Sequence, residues 1–151
     1  MYKPNFFKPQ ELVPRNVYDL FLDKDMIYRI FDEDALRVID FVRDICTPYL
    51  QGRGMVCNNW QRGGTFQNRG FRPANSTVGA ARSSHRFARG FDLSSPVMTT
   101  QQMFDVIEEN RDKLPAKVRI QRTKNGATPT YLHIDTMTAD NQTTQIQYFN
   151  T

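Results

Sequence analysis

Residues 83–92, SSHRFARGFD, and residues 130–136, TYLHIDT, contain the two histidines of this chain. Asp92 follows His85 by seven positions, and His133 lies where polar and apolar residues alternate. Two imidazoles and one carboxylate form a three-ligand set that leaves the fourth position of a zinc ion open, as in catalytic sites. Structural zinc sites more often have four ligands, rich in thiolate. The two stretches therefore predict a metal centre built from His85, Asp92 and His133.

The alternation around His133 predicts a strand from Thr130 to Thr136. Its apolar residues would face the core, since side chains alternate between the two faces of a strand. The opposite face would carry Tyr131, His133 and Asp135. Gly90, between His85 and Asp92, predicts a turn that lets both side chains reach one ion.

The remaining pattern predicts an α+β fold with a small antiparallel sheet flanked by helices. Helices are predicted over residues 25–31, from the acidic residues 32–34 to Pro48, and from Thr99 to Pro115, where Thr99 and Gln102 suit a capping box. Further strands are predicted over 54–59, 117–122 and 144–149, with a turn at Asn125-Gly126. Residues 1–151 are predicted to form one domain, in which residues 1–16 are an extended N-terminal arm rich in proline.

The composition is that of a globular chain, with 39% hydrophobic and 24% charged residues. No apolar run is long enough to cross a bilayer, and residues 1–9 lack the apolar segment of a secretory signal. We therefore expect synthesis in the cytoplasm and no membrane partner. Cys46 and Cys57 are expected to be buried thiols, with a single disulfide as the alternative.

The charge of this chain is unevenly distributed. Residues 46–90 contain no Asp or Glu and no Lys, but seven arginines: Arg53, Arg62, Arg69, Arg72, Arg82, Arg86 and Arg89. This pattern predicts an anionic partner, bound by planar guanidinium groups. Residues 60–84 predict a long loop, and we expect that it forms one wall of the site because long loops in compact domains are usually functional.

These residues resemble the zinc D-alanyl-D-alanine peptidases of bacterial cell-wall metabolism, whose fold is shared by hedgehog signalling domains and certain phage endolysins. The motif of that family is Ser-x-His-x-x-Gly-x-Ala-x-Asp, followed by a strand with a second histidine. Ser83, His85 and Asp92 match the first part, and residues 132–135 resemble the second. The resemblance spans about residues 30–140, and it implies the hedgehog/D-Ala-D-Ala-peptidase fold.

Carried over by position, the resemblance implies Zn²⁺ bound by His85, Asp92 and His133, and Ser83 beside the substrate. Arg72, or alternatively Arg69, would bind the carboxylate at the C-terminus of the substrate. Two small residues of the motif differ, because Ala88 replaces the glycine and Gly90 replaces the alanine.

The general base of the family has no direct counterpart. Several branches place an acidic residue three positions before the second histidine, where this chain has Thr130. Hydrolysis needs a base that takes a proton from water and passes it to the leaving amine. Asp135 is the candidate, either as that base or as a partner that orients His133. Tyr131 would donate a hydrogen bond to the developing oxyanion.

Three functions are open at this point. The leading one is a zinc metallopeptidase that hydrolyses D-alanyl or cross-link bonds of peptidoglycan, as a carboxypeptidase or an endopeptidase, with the stem peptide as its partner. The second is a catalytically weak or inactive relative that acts as a binding or virion structural module. The third, a nucleic-acid-binding domain, is disfavoured because clustered lysines and stacking motifs are missing. We expect a monomer of phage or prophage origin that acts on the cell wall as a lysis or virion-associated protein.

Overall fold

The structure, a computed structural model, describes residues 1–151. Its α-helices are α1 (Pro9–Leu12), α2 (Arg15–Tyr18), α3 (Glu33–Cys46) and α4 (Thr100–Glu109). Its strands are β1 (Gly90–Leu93), β2 (Val118–Thr123), β3 (Leu132–Asp135) and β4 (Ile146–Asn150). Short 3-10 helices cover Lys24–Ile30, Thr47–Tyr49, Trp60–Arg62 and Arg111–Lys113.

The four strands form one mixed sheet in the order β1-β3-β2-β4. β3 is antiparallel to both of its neighbours, but β2 and β4 run parallel. The α+β class is confirmed, whereas the prediction of a purely antiparallel sheet is wrong for this last pair. After β3, residues 136–145 pass the start of β2, where the side-chain amide of Gln142 donates to the Val118 carbonyl at 3.1 Å. The chain thus enters β4 at the end where β2 begins, which makes these two strands parallel.

The two long helices follow the predicted patterns. The apolar face of α3 is buried, including Val38, Ile39 and Val42, and the acidic residues lie at its N-terminus, where the helix dipole favours negative charge. Thr99 and Gln102 form the predicted capping box at the start of α4. α4 ends at Glu109, and a 3-10 turn rather than α-helix completes the path toward Pro115.

Two predicted elements differ from the structure. Residues 54–59 do not form a strand, because only Val56 pairs with a neighbour, Ser94, in an isolated bridge. The chain leaves the bridge to bury Asn58, whose backbone N–H donates to the Glu11 carbonyl at 2.9 Å. Residues 1–16 are not an extended arm throughout, since they contain α1 and the start of α2.

One apolar core joins the N-terminal segment, the long helices and the sheet. It includes Phe7 and Leu12 from the N-terminal segment as well as Leu132 and Ile134 from β3. Cys46 and Cys57 are buried free thiols, as predicted. None of the helices has both the length and the apolar character needed to cross a bilayer.

Candidate metal centre

Three side chains from three segments meet beside the sheet. Asp92 on β1 is the direct cross-strand partner of His133 on β3, and His85 comes from the turn that precedes β1. One ligand atom from each residue lies within 4.8 Å of the others, and all three residues are buried. Two imidazoles and a carboxylate at such distances could hold a metal ion.

The predicted face of β3 is also confirmed, because Tyr131, His133 and Asp135 line one cleft.

The turn before β1 brings His85 back toward Asp92. Its left-handed residue is Ala88, with φ of 54°, and Gly90 is the first residue of β1. The prediction of a turn at Gly90 is therefore off by two residues. Gly90 has a different role, since a Cβ at this position would lie 2.2 Å from Ser84 Oγ. The small residue lets the turn pack directly on the strand.

His85 is fixed by a backbone carbonyl. Its Nδ1 lies 2.8 Å from the Gly70 oxygen, and because a carbonyl only accepts, Nδ1 must carry the proton. The other ring nitrogen, Nε2, lies 3.2 Å from Asp92 Oδ1, within reach of a hydrogen bond to that carboxylate. In metal-binding histidines a carbonyl commonly holds one ring N–H while the other nitrogen faces the ion, and the Gly70 carbonyl would hold His85 in that orientation.

His133 lies between two carboxylates. Its Nδ1 is 2.7 Å from Asp92 Oδ1, and its Nε2 is 3.0 Å from Asp135 Oδ2. Burial alone would lower its pKa, but the hydrogen bonds to Asp135 and Asp92 outweigh burial and raise the pKa to about 9. For Asp92, burial alone would raise the pKa, whereas the hydrogen bonds from His133 and His85 hold it well below its usual value.

Both carboxylate oxygens of Asp135 accept hydrogen bonds. Its side chain is fully buried, and Arg119 on β2 donates from Nε and Nη2 to its two oxygens at 2.8 and 3.0 Å. The backbone N–H of Met137 donates to Oδ1 at 3.0 Å. Burial alone would raise its pKa, but His133 and Arg119 lower it to about 2. A carboxylate held in this way is a weak proton acceptor, so the geometry favours the orienting role over the role of base.

The residues predicted to bind substrate occupy two different places. Arg72 lies beside the metal-ligand group, and its three nitrogens contact Asn68 O at 2.6 Å, Ser83 Oγ at 3.4 Å and Asp92 Oδ2 at 3.4 Å. Arg69 does not line the cleft. Its guanidinium donates to Ser94 Oγ and lies over the ring of Phe66, 3.5 Å from the ring centroid.

The cleft at this centre has a volume of about 500 Å³. The loop over residues 60–84 forms one wall, as predicted, through its last third. Aromatic rings of Tyr131 and Phe149 line other parts, and the Tyr131 hydroxyl accepts a hydrogen bond from Lys124 at 3.2 Å. The charged residues that line the cleft are four cations and two carboxylates: Arg72, Arg82, Arg119 and Lys124, with Asp92 and Asp135. The cationic side chains of the lining therefore outnumber its side-chain carboxylates by two, before the histidines are counted.

Two side chains that form polar contacts with Asp135 or His133 were not predicted from the sequence. Arg119 clamps Asp135, and Ser84 Oγ lies 3.3 Å from His133 Nε2. The alternation of β2 held a signal for Arg119, because Val118 and Ile120 face the core and Arg119 must face the other way. For Ser84 there was no signal, since its position depends on the turn and on Gly90.

A scan against models of protein families, a search of curated proteins and a search of solved structures each found no match to this chain. The resemblance to the zinc peptidases therefore depends only on the residues that carry it. The donor set itself is independent of that resemblance, because it follows from distances and burial.

Proposed function

We propose that this protein is a zinc metallopeptidase that acts on the stem or cross-link peptides of bacterial peptidoglycan. The observation that carries the proposal is the buried group of His85, Asp92 and His133, in which each imidazole has a separate partner for its second nitrogen. Two neutral imidazoles and one carboxylate are the donor set of many catalytic zinc sites. When bound, zinc would lower the pKa of water and polarise a carbonyl oxygen.

The residues of the chain would hold the zinc ion, orient its ligands and stabilise the oxyanion. His85 and His133 would present one nitrogen each, and Asp92 would present a carboxylate oxygen. Asp135 would hold the Nε2–H of His133 and so fix both its tautomer and its ring plane. The Tyr131 hydroxyl lines the cleft, and we propose it as the donor to the developing oxyanion.

A second candidate function is a metal-dependent binding or virion structural module without catalysis. One observation favours it: Asp92 and Asp135 are the only side-chain carboxylates that line the cleft, and both are engaged by cationic or imidazole partners. The cleft therefore offers no unengaged side-chain carboxylate that could accept the proton of water. The two candidates share the metal site and differ in turnover.

Mass analysis of muropeptides after incubation with the zinc-loaded protein separates these two functions. We expect new amine termini with the wild type and none with His133→Ala. A zinc-loaded wild type that yields no new amine termini at neutral or mildly alkaline pH would support the binding module.

Asp135→Asn tests the orienting role. We expect zinc affinity to fall about 10-fold or more, because outer partners of metal ligands typically have effects of 10- to 100-fold, and we expect turnover to fall with it. Asp140→Asn, the same change at an exposed position of the following loop, should leave both unchanged. Undiminished zinc binding and turnover in Asp135→Asn would remove Asp135 from the site.

A further inference from the structure

Arg119 uses only part of its guanidinium to hold Asp135. Arg119 is the cross-strand partner of Asp135, and its Nε and Nη2 donate to the two carboxylate oxygens. Nη1 has no hydrogen-bond partner in the protein, and 32% of the side chain is exposed where it lines the cleft. The ring of Phe149 lies beneath the group, 5.1 Å from the guanidinium carbon.

The other guanidinium groups near the metal-ligand group are less suited to a ligand. All three nitrogens of Arg72 already contact protein oxygens, and Arg69 lies outside the cleft. Arg82 is exposed at the rim and is not held by an ion pair. Arg119 alone combines a fixed orientation with a free nitrogen.

We propose that Arg119, and not Arg72, binds the anionic group of the ligand through Nη1 while it clamps Asp135. The inference rests on the proposed function, since it names the residue that recognises a carboxylate near the scissile bond. Asp135 fixes the guanidinium plane, so little rotamer entropy is lost when an anion binds. The excess positive charge of the cleft lining favours the same class of ligand.

The position of Arg119 also ties recognition to the metal centre. Asp135 Oδ2 lies 3.0 Å from His133 Nε2 and 3.0 Å from Arg119 Nη2. A single carboxylate therefore separates the guanidinium from a metal ligand. An anion bound at Nη1 would share the cleft with the metal-ligand group.

The test compares an acetylated dipeptide acid with its C-terminal amide, titrated into zinc-free protein and followed by NMR. Zinc-free protein is used because the ion itself would attract a carboxylate. We expect wild type to bind the acid about 10-fold more tightly than the amide, in keeping with a hydrogen bond between charged groups. Arg119→Gln should abolish this preference, and Arg72→Gln should keep it.

Two further variants separate anion binding from damage to the fold. Arg122→Gln removes the same charge from the same strand outside the cleft and should keep the preference. Asp135→Asn loosens the clamp but leaves the guanidinium, so it should reduce the preference by less than Arg119→Gln does. Loss of the preference in Arg72→Gln or Arg122→Gln, its survival in Arg119→Gln, or its absence in wild type would overturn the assignment.

Failure of this inference differs from failure of the proposed function. Cleavage of muropeptides by a protein without acid preference would overturn the role of Arg119 alone. Acid preference that depends on Arg119, in a protein that binds no zinc, would refute the peptidase and leave the anion site.

Discussion

Two small residues, Ala88 and Gly90, set where His85 lies relative to Asp92. Ala88 adopts the left-handed region, which costs an L-residue with a Cβ about 1 kcal/mol or more. The chain reverses direction at Ala88, and this reversal places His85 against Asp92. The resembled motif has glycine at this position, the residue that adopts the left-handed region without steric cost.

Gly90→Ala should destabilise the protein and weaken the metal site together. The new Cβ would lie 2.2 Å from Ser84 Oγ and 2.8 Å from Ser84 Cβ, and Ser84 contacts His133. We expect a loss of about 1–3 kcal/mol in the free energy of unfolding, the usual cost of overpacking, and a weaker zinc affinity. Urea unfolding and zinc titration measure the two effects.

Gly54→Ala is the matched control, because no atom lies within 4 Å of a Cβ at that position. It should leave stability within about 0.5 kcal/mol of wild type. Equal free energies of unfolding for the Gly90 and Gly54 variants would show that the turn accommodates the new Cβ and would contradict this prediction.

The register of the sheet assembles the site from three strands. β1 and β3 pair Asp92 with His133, and β3 and β2 pair Asp135 with Arg119. Because side chains alternate, a slip of one residue between β1 and β3 would turn one ligand to the opposite face. The outer edge of β1 is fixed as well, by a hydrogen bond from the Asp92 N–H to the Arg69 carbonyl at 2.7 Å.

The local elements were predictable where a short-range signal existed. Spacing of apolar residues gave α3, the capping pair gave the start of α4, and alternation gave the cleft face of β3. The parallel pairing of β4 was not predictable, because it depends on the path of residues 136–145 around the start of β2. The residue types and their spacing predicted His85, Asp92 and His133 as a ligand group. The contact between Arg119 and Asp135 was missed, because it depends on the register of β2 against β3.

Thr99→Ala should destabilise α4 at its first turn. Thr99 Oγ1 accepts a hydrogen bond from the Gln102 N–H at 3.1 Å, and the Gln102 side chain accepts one from the Thr99 N–H at 2.8 Å. Loss of a cap of this type costs about 1 kcal/mol. Thermal or urea unfolding measures it, with Thr77→Ala at an exposed loop position as control. A loss no larger than that of the control would contradict the contribution of the cap.

At the scale of the whole molecule, the N-terminal segment supports the metal centre. The Leu12 carbonyl accepts a hydrogen bond from the Phe71 N–H at 2.8 Å, and the indole of Trp60 donates to the Val13 carbonyl at 2.9 Å. Gly70 packs against Leu12, since a Cβ there would lie 2.1 Å from its oxygen. The Gly70 carbonyl in turn orients His85. The segment expected to be an arm is thus part of the frame of the site.

Three of the seven arginines in residues 46–90 contact other parts of this frame. Arg62 contacts Glu11, Arg69 contacts Ser94, and Arg86 donates to the carbonyls of residues 74 and 76. Sequence composition cannot separate such structural arginines from those that meet a ligand, because the difference lies in long-range contacts. The anionic partner that residues 46–90 predict stays a prediction. Within the cleft, Arg119 is the residue that we propose would bind it.

The most direct test of the metal centre is a zinc titration of the purified protein in competition with a chromogenic chelator. The account predicts one ion per chain, bound tightly enough to compete, and loss of stoichiometric binding in His85→Ala, Asp92→Asn and His133→Ala. Asp105→Asn, an exposed carboxylate on α4, should bind as wild type does. Absence of zinc binding by the folded wild type, or binding that survives all three ligand substitutions, would contradict it.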